Sequence, residues 1–384
     1  MFDPKIWAAV PFQFWSMVFF GFGCIVGSLL NVCIYRMPRG ESIVLPPSHC
    51  PHCGYSIPWF FNIPLVTWVY LRGRCANCSA PISIRYFLVE LLTGLAFLGC
   101  WLRFGDQAAV LSLAYCLVLA GFIVATFIDL EHFIIPDEIT LGGMVAGFLC
   151  SLAAPALHQV KDRAPALEQS FWGIVVGGGL IYGILRLCKL LFGRHKLQLP
   201  PDAKVIFTET ALCLPEKEIP YEDLFYRKSD AVVLHAKTVE LSDRCYWDVT
   251  VRLTPLTLQI GDETLNPEEV THLEVVTSQI VLPREAMGLG DVKFMAAIGA
   301  FLGWQAVVFS LMFSAILGSM VGITTILLRK REWSSRVPYG PYIALAATFW
   351  IFSAPDWQMA WRANLSVLLQ IFAGIAPGLA PGLR

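Results

Sequence analysis

Charge is what this sequence has little of. Of its 384 residues, 28 are Lys or Arg and 29 are Asp or Glu, 15% together, where a soluble domain carries about 25%. That shortage excludes an ordinary water-soluble globular class. With a net charge of -1 there is no electrostatic case for nucleic acid as a partner. An internal repeat and a low-complexity tract are also missing. No small-residue cleavage site follows the first apolar run, so that run is expected to stay as a membrane span and not to leave as a signal peptide. No Ser or Cys stands in a convincing nucleophile triad. Cysteine itself is plentiful, twelve in all, yet nothing demands an oxidising compartment. Cys24, Cys33, Cys100, Cys116, Cys150 and Cys188 lie in apolar runs, where thiols behave as small hydrophobes.

What the chain does have is apolar length: 56% hydrophobic residues and a mean hydropathy of +0.61. Runs long enough to cross a bilayer, about 17–25 residues each, fall at 14–35, 86–104, 108–128, 139–157 and 171–192. The run 292–328 is too long for one helix, and Gly303-Trp304-Gln305 offers a turn inside it. A short last span is expected at 339–354, broken near Pro341. The tail 357–384 stays open, because Pro377 and Pro381 interrupt its end. The segment 193–285 is polar and alternating. "AVVLHAKTVEL" (231–241) and "YWDVTVRLTPLTLQI" (246–260) read as half-buried strands.

The expected fold is therefore an all-α polytopic membrane protein of about eight transmembrane helices. It carries a cytoplasmic four-cysteine zinc-ribbon loop and an inserted small β-rich cytoplasmic domain. The boundaries are a first span at 1–36, the zinc-binding loop at 37–85, spans at 86–192, the insert at 193–285, further spans at 286–356 and the tail at 357–384. Arg36, Arg39, Arg72, Arg74, Arg85, the insert and the basic run 329–331 gather on one side. Only Lys5, Arg103, Lys161, Arg163, Arg362 and Arg384 fall on the other. The basic side is read as cytoplasmic.

"SHCPHCGYSI" and "RCANCSAPIS" hold Cys50, Cys53, Cys75 and Cys78, two C-x2-C pairs with 21 residues between them. Each knuckle aims two sulfurs at one point, and two knuckles make a tetrahedral thiolate cage suited to Zn²⁺. Metal binding can supply the folding energy that so small a loop lacks. A thiol–disulfide relay is the rival reading. His49 and His52 are read as solvated loop residues.

Three aspartates sit where apolar runs meet water. Asp129 and Asp137 flank "DLEHFIIPD", and Asp291 follows "GLG". Ionisable groups at membrane depth default to a functional reading, and Gly288 and Gly290 allow close backbone approach. Two aspartates meeting there can share one proton, so that one activates a water while the other protonates. The plain alternative is a helix cap or a water boundary, which suits Asp137 best. Lys293 is a charge partner or a snorkelling lysine. On these residues alone an aspartic peptidase, a proton-coupled membrane transporter and a non-catalytic zinc-ribbon membrane scaffold all remain open.

"GSLLNVCIYRMP" (27–38), the two cysteine pairs, "PISIRYFLVELLTG" (81–94), "IDLEHFIIPD" (128–137) and "REAMGLGDVKFMAAIGAFLGW" (284–304) together resemble the type IV prepilin peptidases, or leader peptidase/N-methyltransferases, in that family's order. The resemblance implies a multi-pass GxGD-type aspartic peptidase of the bacterial inner membrane with its site facing the cytoplasm. Such an enzyme cuts the basic leader of type IV prepilins or pseudopilins after a glycine. By matching, Asp129 and Asp291 are the catalytic pair, and Gly73 and Arg74 belong to a region used for methyl transfer. S-adenosylmethionine is the implied methyl donor, although no glycine-rich fold for it is visible. Pilus or type II secretion machinery and membrane lipid are the implied partners. One departure is the spacing of the two aspartates, 162 positions (291 − 129), which the insert lengthens.

Overall fold

The computed structural model of the chain describes residues 11–192, 194–215, 217–225, 230–241, 244–267, 270, 272–283, 288–328, 338–353 and 355–375. The basic run 329–331, the stretch 284–287 before the GLGD segment, and both tail prolines, Pro377 and Pro381, lie outside the described residues. The chain forms two compact units, one of Met1–Ile181 with Leu289–Arg384 and one of Tyr182–Gly288.

The first unit is helical. In order come α1 (Phe12–Arg36), the short α2 (Val66–Tyr70), α3 (Ile84–Phe104), α4 (Ala109–His132), α5 (Asp137–Ala153) and α6 (Arg163–Phe192). After the second unit, which holds a one-turn α7 (Tyr221–Leu224), come α8 (Leu289–Leu302), α9 (Trp304–Leu327), α10 (Gly340–Phe352) and α11 (Pro355–Ile375). Among the described residues, five helices are long and apolar enough to cross a membrane: α1, α3, α4, α6 and α9. The shorter helices are α5 with 17 residues, α8 with 14 and α10 with 13.

Local chemistry sets these ends. Phe133 takes a left-handed φ of 56° and returns its N–H to the Asp129 carbonyl, closing α4. Pro136 cannot sit inside a helix, so α5 opens just after it with Asp137 and Glu138 in its first turn, against the positive end of the helix dipole. Pro155 stops α5 at Ala153, short of the expected 157, since the residue before a proline is driven out of the helical region. Gly303, at φ 81°, makes the expected turn between α8 and α9. Pro341 does not break the last expected span. It stands in the first turn of α10, where a missing N–H is harmless and its fixed φ suits the helix. The tail is helical through α11, to Ile375.

The helix that carries Asp291 is held by unusually close contact. A Cβ built on Gly173 of α6 would lie 2.0 Å from the Gly299 carbonyl of α8, so only glycine pairs let the two backbones meet. Beside that crossing, the Ser151 and Ser170 hydroxyls donate to the Ala300 carbonyl at 3.3 and 2.8 Å. Interhelical bonds of this kind contribute about 0.6–2 kcal/mol each.

The second unit is one antiparallel sheet of eight strands: β1 (Arg194–Thr208), β2 (Ala211–Leu214), β3 (Lys217–Pro220), β4 (Val232–Glu240), β5 (Cys245–Leu253), β6 (Leu258–Ile260), β7 (Glu263–Leu265) and β8 (His272–Pro283), ordered β3-β2-β1-β8-β4-β5-β6-β7. Leu212, Val205, Leu234, Val275 and Ile280 lie in its core. The strand expected over 246–260 is two strands. Pro255 lacks the donor a ladder needs, and a turn closed by the Thr254 N–H on the Thr257 carbonyl separates β5 from β6. Arg194 and Pro283, the first and last residues of the sheet, are paired Cα partners. The insert thus leaves and returns at one place.

Candidate functional site

Asp129 stands in the last turn of α4 and is 5% exposed. Its Oδ2 accepts the Gly340 N–H at 2.8 Å. That N–H belongs to the first turn of α10, where unsatisfied donors and the helix dipole both favour an anion. A Cβ on Gly340 would sit 2.8 Å from the same oxygen. Only glycine therefore lets the backbone reach the carboxylate.

Asp291 lies in the first turn of α8 and is 8% exposed. Its helix meets α4 through a ring contact, Phe122 against Phe294, with centroids 5.7 Å apart and planes at 79°. Asp129 follows Phe122 by seven residues, two turns along the same face, and Asp291 precedes Phe294 by one turn. Ile135 lies against the starts of α8 and α10. It would be 3.4 Å from a Cβ on Gly290 and 3.2 Å from one on Gly340. Tyr339, next to Gly340, is close enough to Asp291 to feel its charge, and its hydroxyl shares a 2.8 Å hydrogen bond with Ser314. The two acids thus come from adjoining helices to a common surround of Ile135, Tyr339 and Gly340.

Asp137 is half exposed and pairs with Lys293, Nζ to Oδ1 at 2.6 Å, tying the start of α5 to α8. An ion pair with so much water access contributes about 0–1 kcal/mol. Gly288 is exposed just before α8. Glu131 pairs with Arg85.

The sulfurs of Cys50, Cys53, Cys75 and Cys78 lie within 4.8 Å of one another, Cys50 and Cys78 at 3.8 Å. A tetrahedral zinc with Zn–S of about 2.3 Å puts its sulfurs about 3.8 Å apart, so the cluster can hold a metal of that size. The Cys78 and Asn77 N–H groups lower the Cys75 thiol to about 6, and the Tyr55 N–H lowers Cys53. Cys78 accepts the Ala80 N–H, which lowers it, but desolvation and the neighbouring sulfurs push it up to about 11. Four thiolates so close need a cation between them. His49 bonds through Nδ1 to the Pro47 carbonyl at 3.0 Å, and His52 is exposed.

Gly73 and Arg74 lie in the cysteine loop, just before Cys75. Gly73 has φ 66° and its Cβ would meet the Trp68 indole at 2.9 Å. Arg74 is exposed and forms a single bridge with Pro81. The sequence reading missed Gly340. The "YGP" at 339–341 was its only signal, a glycine ahead of a proline at a helix start.

Two family models match the chain: the Bacterial Peptidase A24 N-terminal domain over residues 22–104, and the Type IV leader peptidase family over 116–196 and 270–323. A prepilin leader peptidase/N-methyltransferase of Aeromonas hydrophila is 28% identical over 378 residues, covering 91% of this chain and 95% of its own. A Myxococcus xanthus protein of the same name is 49% identical over 141 residues, 36% of this chain and 41% of that one. A type 4 prepilin-like proteins leader peptide-processing enzyme of Escherichia coli O78:H11 is 36% identical over 193 residues, 46% of this chain and 68% of that one. No solved structure matches.

Proposed function

The chain belongs to the type IV leader peptidase family, and from that premise we propose that it is a membrane aspartic endopeptidase and amine methyltransferase. It cuts the basic leader of prepilins or pseudopilins after a glycine and then N-methylates the new terminus. Asp129 and Asp291 are the working pair. Two carboxylates at close range cannot both ionise, so one keeps a proton. The ionised one removes a proton from a water whose oxygen attacks the scissile carbonyl. The protonated one gives its proton to the leaving amide nitrogen as the C–N bond breaks. The Gly340 N–H holds Asp129 in one orientation throughout.

One observation carries this reading: two buried acids on adjoining helices share the Ile135–Tyr339–Gly340 surround. A glycine at the scissile bond suits so crowded a site, since it brings no side chain. Cys50, Cys53, Cys75 and Cys78 hold a zinc ion that fixes their loop. S-adenosylmethionine supplies the methyl group when bound. The protein lies in the bacterial inner membrane, with its site toward the cytoplasm, where the lysine and arginine bias puts the loop ends. Its partners are the prepilins, the surrounding lipid and the pilus or type II secretion machinery.

The test is cleavage of a prepilin by the purified protein in lipid. Asp129→Asn and Asp291→Asn each abolish it while the protein keeps its elution volume and metal. Cleavage that survives both changes together excludes the two-acid mechanism.

A further inference from the structure

Where the four-cysteine loop meets the ends of α1 and α3 there is a cavity of about 710 Å³. That lies within the range of small-molecule sites, about 300–1,000 Å³. Neither Asp129 nor Asp291 lines it, but Glu90 does. Glu90 belongs to α3 and is 8% exposed. Its Oε2 accepts the Leu65 N–H at 2.8 Å, and the Ser28 side chain lies beside it. Leu65 aims that N–H from a left-handed φ of 60°, a conformation that strains a residue other than glycine. The loop is thus held in a strained turn with its donor on one acid. A carboxylate has about four acceptor sites, and two neighbours leave others for the cavity.

Two donors on residues of the wall lack partners. Trp68 and Arg85 line the same space, and Trp68 Nε1 and Arg85 Nε are shielded from water and make no hydrogen bond. Buried donors in native proteins are rarely left so. Trp68 and Tyr86 add aromatic surface. The fitting ligand has a flat apolar part, acceptors for two donors and a positive charge for a buried acid. Gly73 belongs to this arrangement indirectly, because a side chain there would displace the Trp68 indole.

We propose that this cavity binds S-adenosylmethionine and that Glu90 faces the positive charge of its sulfonium. The proposal rests on the methyl-transfer half of the function proposed above. It places the methyl donor in a chamber walled by the metal loop and set apart from the two acids. A carboxylate facing a sulfonium away from bulk water holds it far more firmly than it holds a neutral thioether.

The test is equilibrium binding of S-adenosylmethionine and of S-adenosylhomocysteine, whose sulfur is neutral, to the full chain in lipid nanodiscs. Glu90→Gln should weaken the first at least about tenfold and the second less than about threefold, a difference of at least about 0.7 kcal/mol. Thr67→Trp, which fills the cavity, should remove both. Bound zinc and the melting point report folding, and if Glu90→Gln loses its zinc the Thr67→Trp comparison decides. Glu90→Gln binding that equals wild type, equal losses of both ligands, or a zinc-loaded Thr67→Trp protein that still binds overturns the proposal. A wild-type protein that methylates prepilin while Glu90→Gln binds normally sinks this inference alone. A wild-type protein that neither methylates nor binds sinks the methyl-transfer reading as well.

Discussion

Asp129 Oδ2 and the Gly340 N–H are 2.8 Å apart, joining the last turn of one helix to the first turn of another across 211 positions of sequence. The bond orients the acid, and it exists because Gly340 has no Cβ. Gly340→Ala places a methyl 2.8 Å from that oxygen, which forces either the carboxylate or α10 to move. The expected outcome is a fall in kcat for prepilin cleavage of at least about tenfold, on the scale of losing one charged hydrogen bond. KM should change little. Steady-state cleavage of a fluorogenic leader peptide measures both.

The cysteine loop tests separately. It has only short helices of three to five residues and two isolated bridges, tied to the helices by bonds such as Arg36 to the Ser42 and Pro46 carbonyls and Leu65 to Glu90, so the metal is expected to order the cysteine knuckles themselves. Cys75→Ser should lose the bound zinc and expose 37–85 to protease, while the helices away from the loop stay resistant. Elemental analysis beside limited proteolysis reads both outcomes. A variant that keeps its zinc, or a loop that stays protected without it, contradicts the structural role.

Much of this was legible in the residues. The C-x2-C pairs announce themselves because a metal needs its ligands at fixed spacing, and Gly303 marks a turn because a long apolar run has to be cut somewhere. Strand alternation betrayed the insert. Other features carry no such mark. The donor to Asp129 is a backbone N–H, which every residue but proline owns, so nothing in "YGP" says what the glycine serves. Pro341 looked like a break because a proline's effect depends on whether it opens a helix or interrupts one. Glu90 sits inside "LVELLTG", where its neighbours are apolar and only a packed loop reveals an acid with a strained partner. The helical tail escaped because its prolines lie beyond its last described turn.

His158 gives a pH dependence. It is 3% exposed between α5 and α6, and its Nε2 shares a 2.8 Å hydrogen bond with Ser151. Burial, and then the Arg362 charge, hold its imidazole down to about 4, against 6.5 unperturbed. The folded protein therefore binds fewer protons than the unfolded chain between those two values. This stability is whole above pH 6.5 and drains away as the pH falls toward 4, at no more than about 1.4 kcal/mol per pH unit. Thermal melting followed from pH 7 to 4.5 should fall through that window, and His158→Asn should flatten the fall. An unchanged slope in the variant assigns the acid sensitivity to other groups.

The insert should be removable. Arg194 and Pro283 pair across β1 and β8, and antiparallel partners stand about 4.5–5.5 Å apart. Two to four flexible residues, by that spacing about one extended dipeptide or more, can replace 195–282 without pulling α6 or α8 out of place. The core of the sheet is its own, built from residues such as Val205, Leu234 and Ile280. Closing a shorter connection also lowers the entropy lost on folding, although only slowly with length. The excised protein should therefore insert in membranes, hold zinc and cut a prepilin peptide within about threefold of the full chain, a difference below about 1 kcal/mol. A variant that keeps its zinc and its melting point but cuts a hundredfold more slowly would give the sheet a part in catalysis or in substrate binding that its closed-off ends do not suggest.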